Sequence, residues 1–245
     1  WVRAYADLRD DRVGEIHVQL DDMLSFFGAL AHLDSGRRKY TLLLLNLARS
    51  LAIHVETPMK FFCPAVRPNE YAMEVQPMIQ TPDHSTYPSG HAMEAFAIAT
   101  VLHRLSTGHG PCHGIAEQTL PFRLAHRIAV NRTVAGVHFP VDSLAGAWVG
   151  CCVGELIHGF AEKGRISERD LPKPELEKEA APGHDDQPRW KQPEDFLLST
   201  FAPFFDRPAS AEQDLEKIDI AREIWKRART EWPGIRTMAE DEGHD

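Results

Sequence analysis

The sequence has no excess of positive charge: 27 lysines and arginines stand against 36 aspartates and glutamates, a formal net charge of −9. That balance removes support for a nucleic-acid partner or for docking on anionic lipid, both of which need a basic face. The sequence also lacks any C-x-x-C pair, so the spacing of its four cysteines, Cys63, Cys112, Cys151 and Cys152, argues against a zinc ribbon or dithiol redox motif. Cys151 and Cys152 fall in an apolar stretch and read as small buried thiols. Spacing alone leaves a Cys63–Cys112 disulfide open. Nor is there a long uncharged apolar run. The stretch from Leu144 to Gly154 is about half of what a membrane span requires, so a soluble chain without a transmembrane segment is expected. The sequence begins at Trp1, which leaves an export leader, and with it the compartment, undecided. Strict apolar–polar alternation is scarce, which argues against a core built on sheets.

What the sequence does have is helical periodicity. Val13, Ile16, Leu20, Met23, Leu24, Phe27 and Leu30 recur at helical spacing and predict one amphipathic helix. Residues 40–55 are apolar almost all round, as a central buried helix would be. Pro68, Pro77, Pro82 and Pro88, with Asp83, His84 and Ser85 among them, mark an extended loop. A helix then opens at Ser89-Gly90 and carries Met93, Phe96, Ala97 and Leu102. Another starts near Pro121, a residue suited to a first turn, and the last core helix starts close to Pro140. The expected fold class is all-α, a single helical bundle over residues 1–164. Proline, glycine and charge then dominate, so residues 165–208 read as a linker. Residues 209–245 read as a C-terminal amphipathic helix and tail. Ser210 and Gln213 suit a capping box there, and Leu215, Ile218, Ala221, Trp225, Ala228 and Trp232 form a stripe. That stripe either folds back onto the core or joins a second copy in a homo-oligomer.

Three separated clusters carry the chemistry: Lys60 with Arg67-Pro68, then Pro88-Ser89-Gly90-His91, then Arg132 with His138 and Asp142. A tetrahedral oxyanion presents several oxygens and spread charge, which guanidinium forks and backbone N–H groups match well. Arg67 and Arg132 supply forks and Lys60 a point charge. Ser89 and Gly90 open a helix, whose free amides and positive dipole end attract anions, and glycine admits a close approach. His138 and Asp142 are one helical turn apart. A carboxylate there can fix the imidazole tautomer and raise the nucleophilicity of the other nitrogen. His91 could act as a general acid. Taken singly, each of these residues is as readily a surface charge or a structural histidine; their order together is what argues for a site.

That order resembles the signature shared by type 2 phosphatidic acid phosphatases, bacterial non-specific acid phosphatases and vanadium-dependent haloperoxidases. The resemblance covers residues 57–150. It implies that Lys60, Arg67, Ser89, Gly90 and Arg132 hold the oxyanion. It further implies that His138 becomes phosphorylated, or ligates vanadium, with His91 as the acid–base residue and Asp142 orienting His138. Asn131 departs from the pattern, since many members have serine there; its short polar side chain could keep a similar hydrogen bond. The implied activity is metal-independent phosphomonoester hydrolysis through a phosphohistidine, by a bacterial acid-phosphatase-like enzyme that needs no cofactor. The alternative is a haloperoxidase that binds vanadate as cofactor and oxidises halide with hydrogen peroxide, an option suggested by the loop from Thr81 to Tyr87. A non-catalytic oxyanion-binding or assembly protein is the third reading. His84 and Tyr87 are candidates to line the pocket mouth. The partner expected is a small phosphorylated or oxidisable substrate; which one is not legible. A chain without a span does not suit an integral lipid phosphatase, but a lipid taken from a membrane surface fits.

Overall fold

A computed structural model describes residues 1–168, 195–202 and 211–232. In chain order the helices are α1 (Val2–Tyr5), α2 (Arg9–Asp21), α3 (Leu24–Ala31), α4 (Lys39–Phe62), α5 (Pro68–Tyr71), α6 (Gly90–Thr107), α7 (Pro111–Ala116), α8 (Leu120–Val134), α9 (Pro140–His158), α10 (Leu198–Phe201) and α11 (Asp219–Thr230). A two-stranded antiparallel ribbon joins β1 (Arg165–Glu168) to β2 (Ala211–Asp214), with Arg165 opposite Asp214 and Glu168 opposite Ala211. The architecture is a mostly all-α bundle with a small C-terminal region of helix and strand.

The centre of the bundle is the contact between α6 and α9, flanked by α4 and α8. Its cause is legible in α9, where Gly146, Gly150 and Gly154 recur every fourth residue and share one face. A Cβ at Gly146 would lie 2.3 Å from the Ser89 carbonyl oxygen, and one at Gly150 would lie 2.3 Å from that of Met93. Only glycine lets the two backbones come this close. The consequence reaches the site, because the approach brings the Ser89 N–H to 3.0 Å from the Asp142 carbonyl oxygen. Around this seam Phe96 packs against Phe122, Phe196 and Phe201 at centroid distances of 5.7–6.0 Å.

Several expectations are revised. The long N-terminal helix is two helices, broken after Asp22, whose carboxylate accepts the Ser25 N–H at 3.0 Å. Of the expected apolar stripe, Ile16, Met23 and Phe27 are buried, whereas Val13, Leu20 and Leu30 are exposed. Helix α4 is not buried all round: Leu43, Leu47 and Ile53 are exposed. Segment 195–202, expected to be linker, is part of the core, with Phe196, Leu198 and Phe201 buried; most of the remaining linker lies outside the described residues. The last helix starts at Asp219, since residues 211–214 pair as a strand; Ser210 of the expected capping box lies outside the described residues. No disulfide joins Cys63 to Cys112.

Two further features concern α9 and the C-terminal region. Residues 140–162, α9 and the helical turn that continues it, are long and apolar enough to cross a membrane by length and composition, a longer stretch than the uncharged run from Leu144 to Gly154. Within that helix, 67% of the apolar window is buried inside the bundle. Helix α11 lays Trp225 and Ala228 against the core and packs on α4, so this part of the stripe is covered by its own chain, while Ile218 is exposed. Glu231, just beyond α11, caps α4 from outside, accepting the N–H groups of Tyr40 and Thr41 at 2.8 and 2.9 Å. A carboxylate satisfies free amides there and complements the helix dipole.

Candidate active site

The fold brings the three clusters together at the start of α6 and α9 and the end of α4. Lys60, in the last turn of α4, is 6% exposed. Its ammonium donates to the carbonyls of Ser85 at 2.9 Å and Pro88 at 2.8 Å, and it pairs with Glu56 at 3.3 Å. Burial lowers its pKa, and the Glu56 charge works against that shift. Arg67 ties the loop down: Nη1 donates to the Val137 carbonyl at 2.9 Å, Nε to Pro82 at 3.0 Å and Nη2 to His84 at 3.2 Å. It is therefore a strut for the 82–85 segment as well as a buried cation.

Arg132 is different. It is 1% exposed, and among the described residues its hydrogen bonds are long ones, from Nη2 to the Ile16 carbonyl at 3.4 Å and to Gln19 Oε1 at 3.5 Å. Among the described residues its Nε and Nη1 have no partner, and the fully buried Ser89 hydroxyl has none either. Ser89 is the N-cap of α6 but makes no side-chain cap bond. Unmatched buried donors are costly, and burial alone pulls the Arg132 guanidinium down to about 10. A multivalent oxyanion is the kind of group that would satisfy these donors.

His138 and Asp142 sit at the start of α9. Asp142 is the third residue of that helix and forms its capping box, its Oδ2 accepting the Phe139 N–H at 2.8 Å. The same oxygen accepts the Thr86 hydroxyl proton at 2.7 Å. His138 Nδ1 lies 3.0 Å from Thr86 Oγ1 and 3.2 Å from Asp142 Oδ2. With the hydroxyl proton directed to Asp142, both neighbours accept, so Nδ1 carries the proton and Nε2 keeps its lone pair. Burial, only partly opposed by Asp142, lowers the His138 pKa to about 4, leaving a neutral imidazole. His91, the second residue of α6, is also held neutral, its pKa pushed well down by burial and then by the charges of Arg132 and His138. These mutual effects, together with those of Lys60 and Arg67 on His138, mark the clusters as one electrostatic unit.

Of the two mouth candidates, His84 is exposed, with Nδ1 3.3 Å from Arg67 Nη2. Tyr87 is half-buried and burial raises its phenol pKa. Asn131 does not reach an oxyanion donor's role. It is fully buried, donates to Glu15 and Gln19 at 2.8 and 3.0 Å, and accepts from Arg12 at 2.9 Å, which locks α2 over α8. Sequence reasoning missed Gln19, Thr86 and Glu56. Nothing in α2 signals Gln19, whereas Glu56 stands four residues before Lys60 in the favourable order for a helical ion pair. Gly90, the first residue of α6, faces that carboxylate: a Cβ there would lie 2.2 Å from either Glu56 oxygen.

A family profile described as the PAP2 superfamily matches residues 39–165, just over half of the chain. A lipid A 1-phosphatase of Porphyromonas gingivalis is 39% identical over 72 residues, which cover 29% of this chain and 15% of that protein. A decaprenylphosphoryl-5-phosphoribose phosphatase of Mycobacterium tuberculosis is 28% identical over 135 residues, 55% of this chain and 68% of its own length. Among solved structures, a transmembrane PAP2-type phosphatidylglycerolphosphate phosphatase of Bacillus subtilis aligns at a TM-score of 0.47 and 22% identity, covering 66% of this chain and 83% of that one. The match of the profile to the part of the chain that builds this cradle settles the family: the chain belongs to the PAP2 superfamily.

Proposed function

We propose that the protein is a metal-independent phosphomonoesterase that works through a phosphohistidine on His138. The observation that carries this reading is the coexistence of a neutral His138, its Nδ1 fixed by Asp142 and Thr86, with unmatched buried donors on Arg132 and Ser89. A cation alone would bind an anion; a cation cradle beside an oriented, uncharged imidazole can also react with one.

In the first step His138 Nε2 attacks phosphorus as the bond to the ester oxygen breaks, and His91 protonates the departing oxygen. His91 is neutral in the free protein, so it must gain its proton with the substrate; a bound phosphate dianion nearby raises an imidazole pKa in that way. In the second step water attacks the phosphohistidine, gives its proton to His91 and releases inorganic phosphate. Lys60, Arg67, Arg132, the Ser89 hydroxyl and the free amides at Gly90 hold the phosphoryl oxygens throughout. Asp142 stabilises the imidazolium character that develops on His138.

An amphiphilic phosphomonoester is the substrate class that suits the rim. Phe61, Phe62, Tyr71 and Met73 are 72–90% exposed, and all lie within a few residues of Lys60 or Arg67. Tyr71 meets Phe139, the neighbour of His138, edge-on at 5.9 Å. The matched relatives named as phosphatases of lipid A and of a decaprenyl phosphosugar point the same way.

The haloperoxidase reading uses the same residues, with His138 Nε2 as the vanadium ligand, and its support is the loop from Thr81 to Tyr87. One assay separates the two: protein with and without vanadate, read for phosphate release and for bromination of a dye. Phosphate release that vanadate inhibits competitively is expected. Vanadate-dependent bromination with negligible phosphate release would replace the proposal by its alternative.

A further inference from the structure

We infer that Glu56 is a built-in competitor for the oxyanion cradle, a carboxylate that substrate phosphate must displace from Lys60 and that returns to help expel inorganic phosphate. The inference deepens the proposed function and rests on that reading of the site.

The donors of Lys60 are fully engaged. An ammonium has three N–H groups. Two are directed to the carbonyls of Ser85 and Pro88, and the Glu56 carboxylate at 3.3 Å takes the third. The two carbonyls belong to the loop and stay where they are. An incoming oxyanion therefore gains a direct contact with Lys60 only if Glu56 yields it.

The second observation is the position of that carboxylate. Both its oxygens lie within 2.2 Å of where a Gly90 Cβ would be, so the carboxylate rests directly on the first residue of α6. That is the end of an 18-residue helix, where free amides and the dipole favour an anion. The missing side chain of Gly90 therefore already accommodates an anionic group, and that group belongs to the protein. Two buried, unmatched groups, the Ser89 hydroxyl next to Gly90 and the Arg132 guanidinium, independently mark this place as one built for an anion.

The third observation separates Glu56 from the other carboxylate of the site. Asp142 is held by the Phe139 N–H, the Thr86 hydroxyl and His138, and it is 2% exposed. Glu56 has its pairing with Lys60 and retains 16% exposure of its side chain. Asp142 is fixed; Glu56 can swing out along its own helix. A displaceable anion discriminates against small free oxyanions, which offer little else to offset its removal. An ester that also binds through its alcohol portion overcomes the competition more easily.

The test compares wild type with Glu56→Gln, which keeps the shape and removes the charge. Calorimetric titration with inorganic phosphate and with orthovanadate gives affinity, and steady-state hydrolysis of para-nitrophenyl phosphate gives KM, kcat and the phosphate inhibition constant. Phosphate should bind the variant roughly tenfold more tightly or better, the scale of removing one like charge from a partly exposed site. Its inhibition constant should fall by a similar factor. Glu56→Ala should shift affinity in the same direction, which excludes a new amide contact as the cause and serves if the glutamine variant does not fold. Unchanged affinity in the variants overturns the inference. Weaker binding also overturns it and makes Glu56 a positioning residue for Lys60. The calorimetry is independent of turnover. Tighter oxyanion binding in a protein that hydrolyses no ester sustains the competitor and sinks the hydrolase, while hydrolysis with unchanged affinity does the reverse.

Discussion

Replacing Arg132 with methionine should lower activity and raise stability at once. Arg132 is 1% exposed, its contacts to Ile16 and Gln19 are 3.4 and 3.5 Å long, and its Nε and Nη1 are unmatched. Hydrogen bonds of that length contribute little, so the folded protein carries a desolvated charge with little return. Burial alone draws its pKa down to about 10. Exchanging a buried ion pair for apolar side chains of similar volume is often neutral or stabilising by ~1–4 kcal/mol, and a buried charge with only long contacts has less Coulombic return to lose. At roughly 2–4 °C per kcal/mol for a chain of this size, Tm should hold or rise by up to about 16 °C. Glu94, which faces Arg132 electrostatically, keeps Arg49 at 2.7 Å, so the exchange leaves no orphaned carboxylate there. Removing an oxyanion donor costs about 3–4 kcal/mol of transition-state stabilisation, a fall in kcat/KM of roughly 10²–10³. Thermal unfolding with and without phosphate, plus hydrolysis of para-nitrophenyl phosphate, reads all of this. Wild type should gain Tm with phosphate by mass action, and the variant should gain far less. A variant that unfolds several degrees lower while turning over within a few-fold of wild type would make Arg132 a structural strut and refute the reasoning.

Three further outcomes follow from the geometry. The acid limb of kcat/KM should lie near pH 4, because His138 has to be neutral to attack and burial lowers its pKa from 6.5 to about 4. Stability should fall over the same range: the unfolded chain binds the proton first, so the contribution of neutral His138 is complete above pH 6.5 and is lost as pH falls through about 4. A limb at 6.5 would mean that His138 is not held as described. His91→Ala should slow alkyl phosphates far more than para-nitrophenyl phosphate, whose leaving group needs no proton, by roughly 10²-fold or more on the scale of general acid catalysis; equal losses on both would remove His91 from the acid role. Gly150→Ala should destabilise the protein by about 1–3 kcal/mol through overpacking, since its Cβ would meet the Met93 carbonyl oxygen at 2.3 Å; urea unfolding without a loss would show that α6 and α9 separate freely.

The parts of the fold that the sequence announces are those with a short-range signal. Pro121 and Pro140 mark first turns because proline needs no N–H there. His138 and Asp142 meet because one helical turn separates them, and Gly90 opens a helix as expected. The break at Asp22 is hidden because apolar residues keep a helical spacing across it, even though Val13, Leu20 and Leu30 are exposed. The ribbon of β1 and β2 is hidden because its strands are only four residues each and pair over more than forty positions of sequence. Segment 195–202 is masked by its charged, proline-rich neighbours, although Phe196 and Phe201 pack on Phe96. In the candidate site the charges are legible but their partners are not. That Arg67 is engaged by three loop carbonyls, while Arg132 keeps free donors, depends on where distant loops pass. Gln19 reaches the site from a helix that carries no local motif, and within the loop from Thr81 to Tyr87 nothing local marks Thr86 as the partner of His138, so only the assembled fold places them.

The central claim is that His138 is the nucleophile. A rapid acid-free quench of the enzyme turning over a ³²P-labelled phosphomonoester, followed by alkaline digestion and peptide mapping, tests it most directly. The account predicts acid-labile, base-stable label on His138, absent from His138→Ala, which should also lose turnover. Label on another residue, or near-wild-type hydrolysis by His138→Ala, would contradict it.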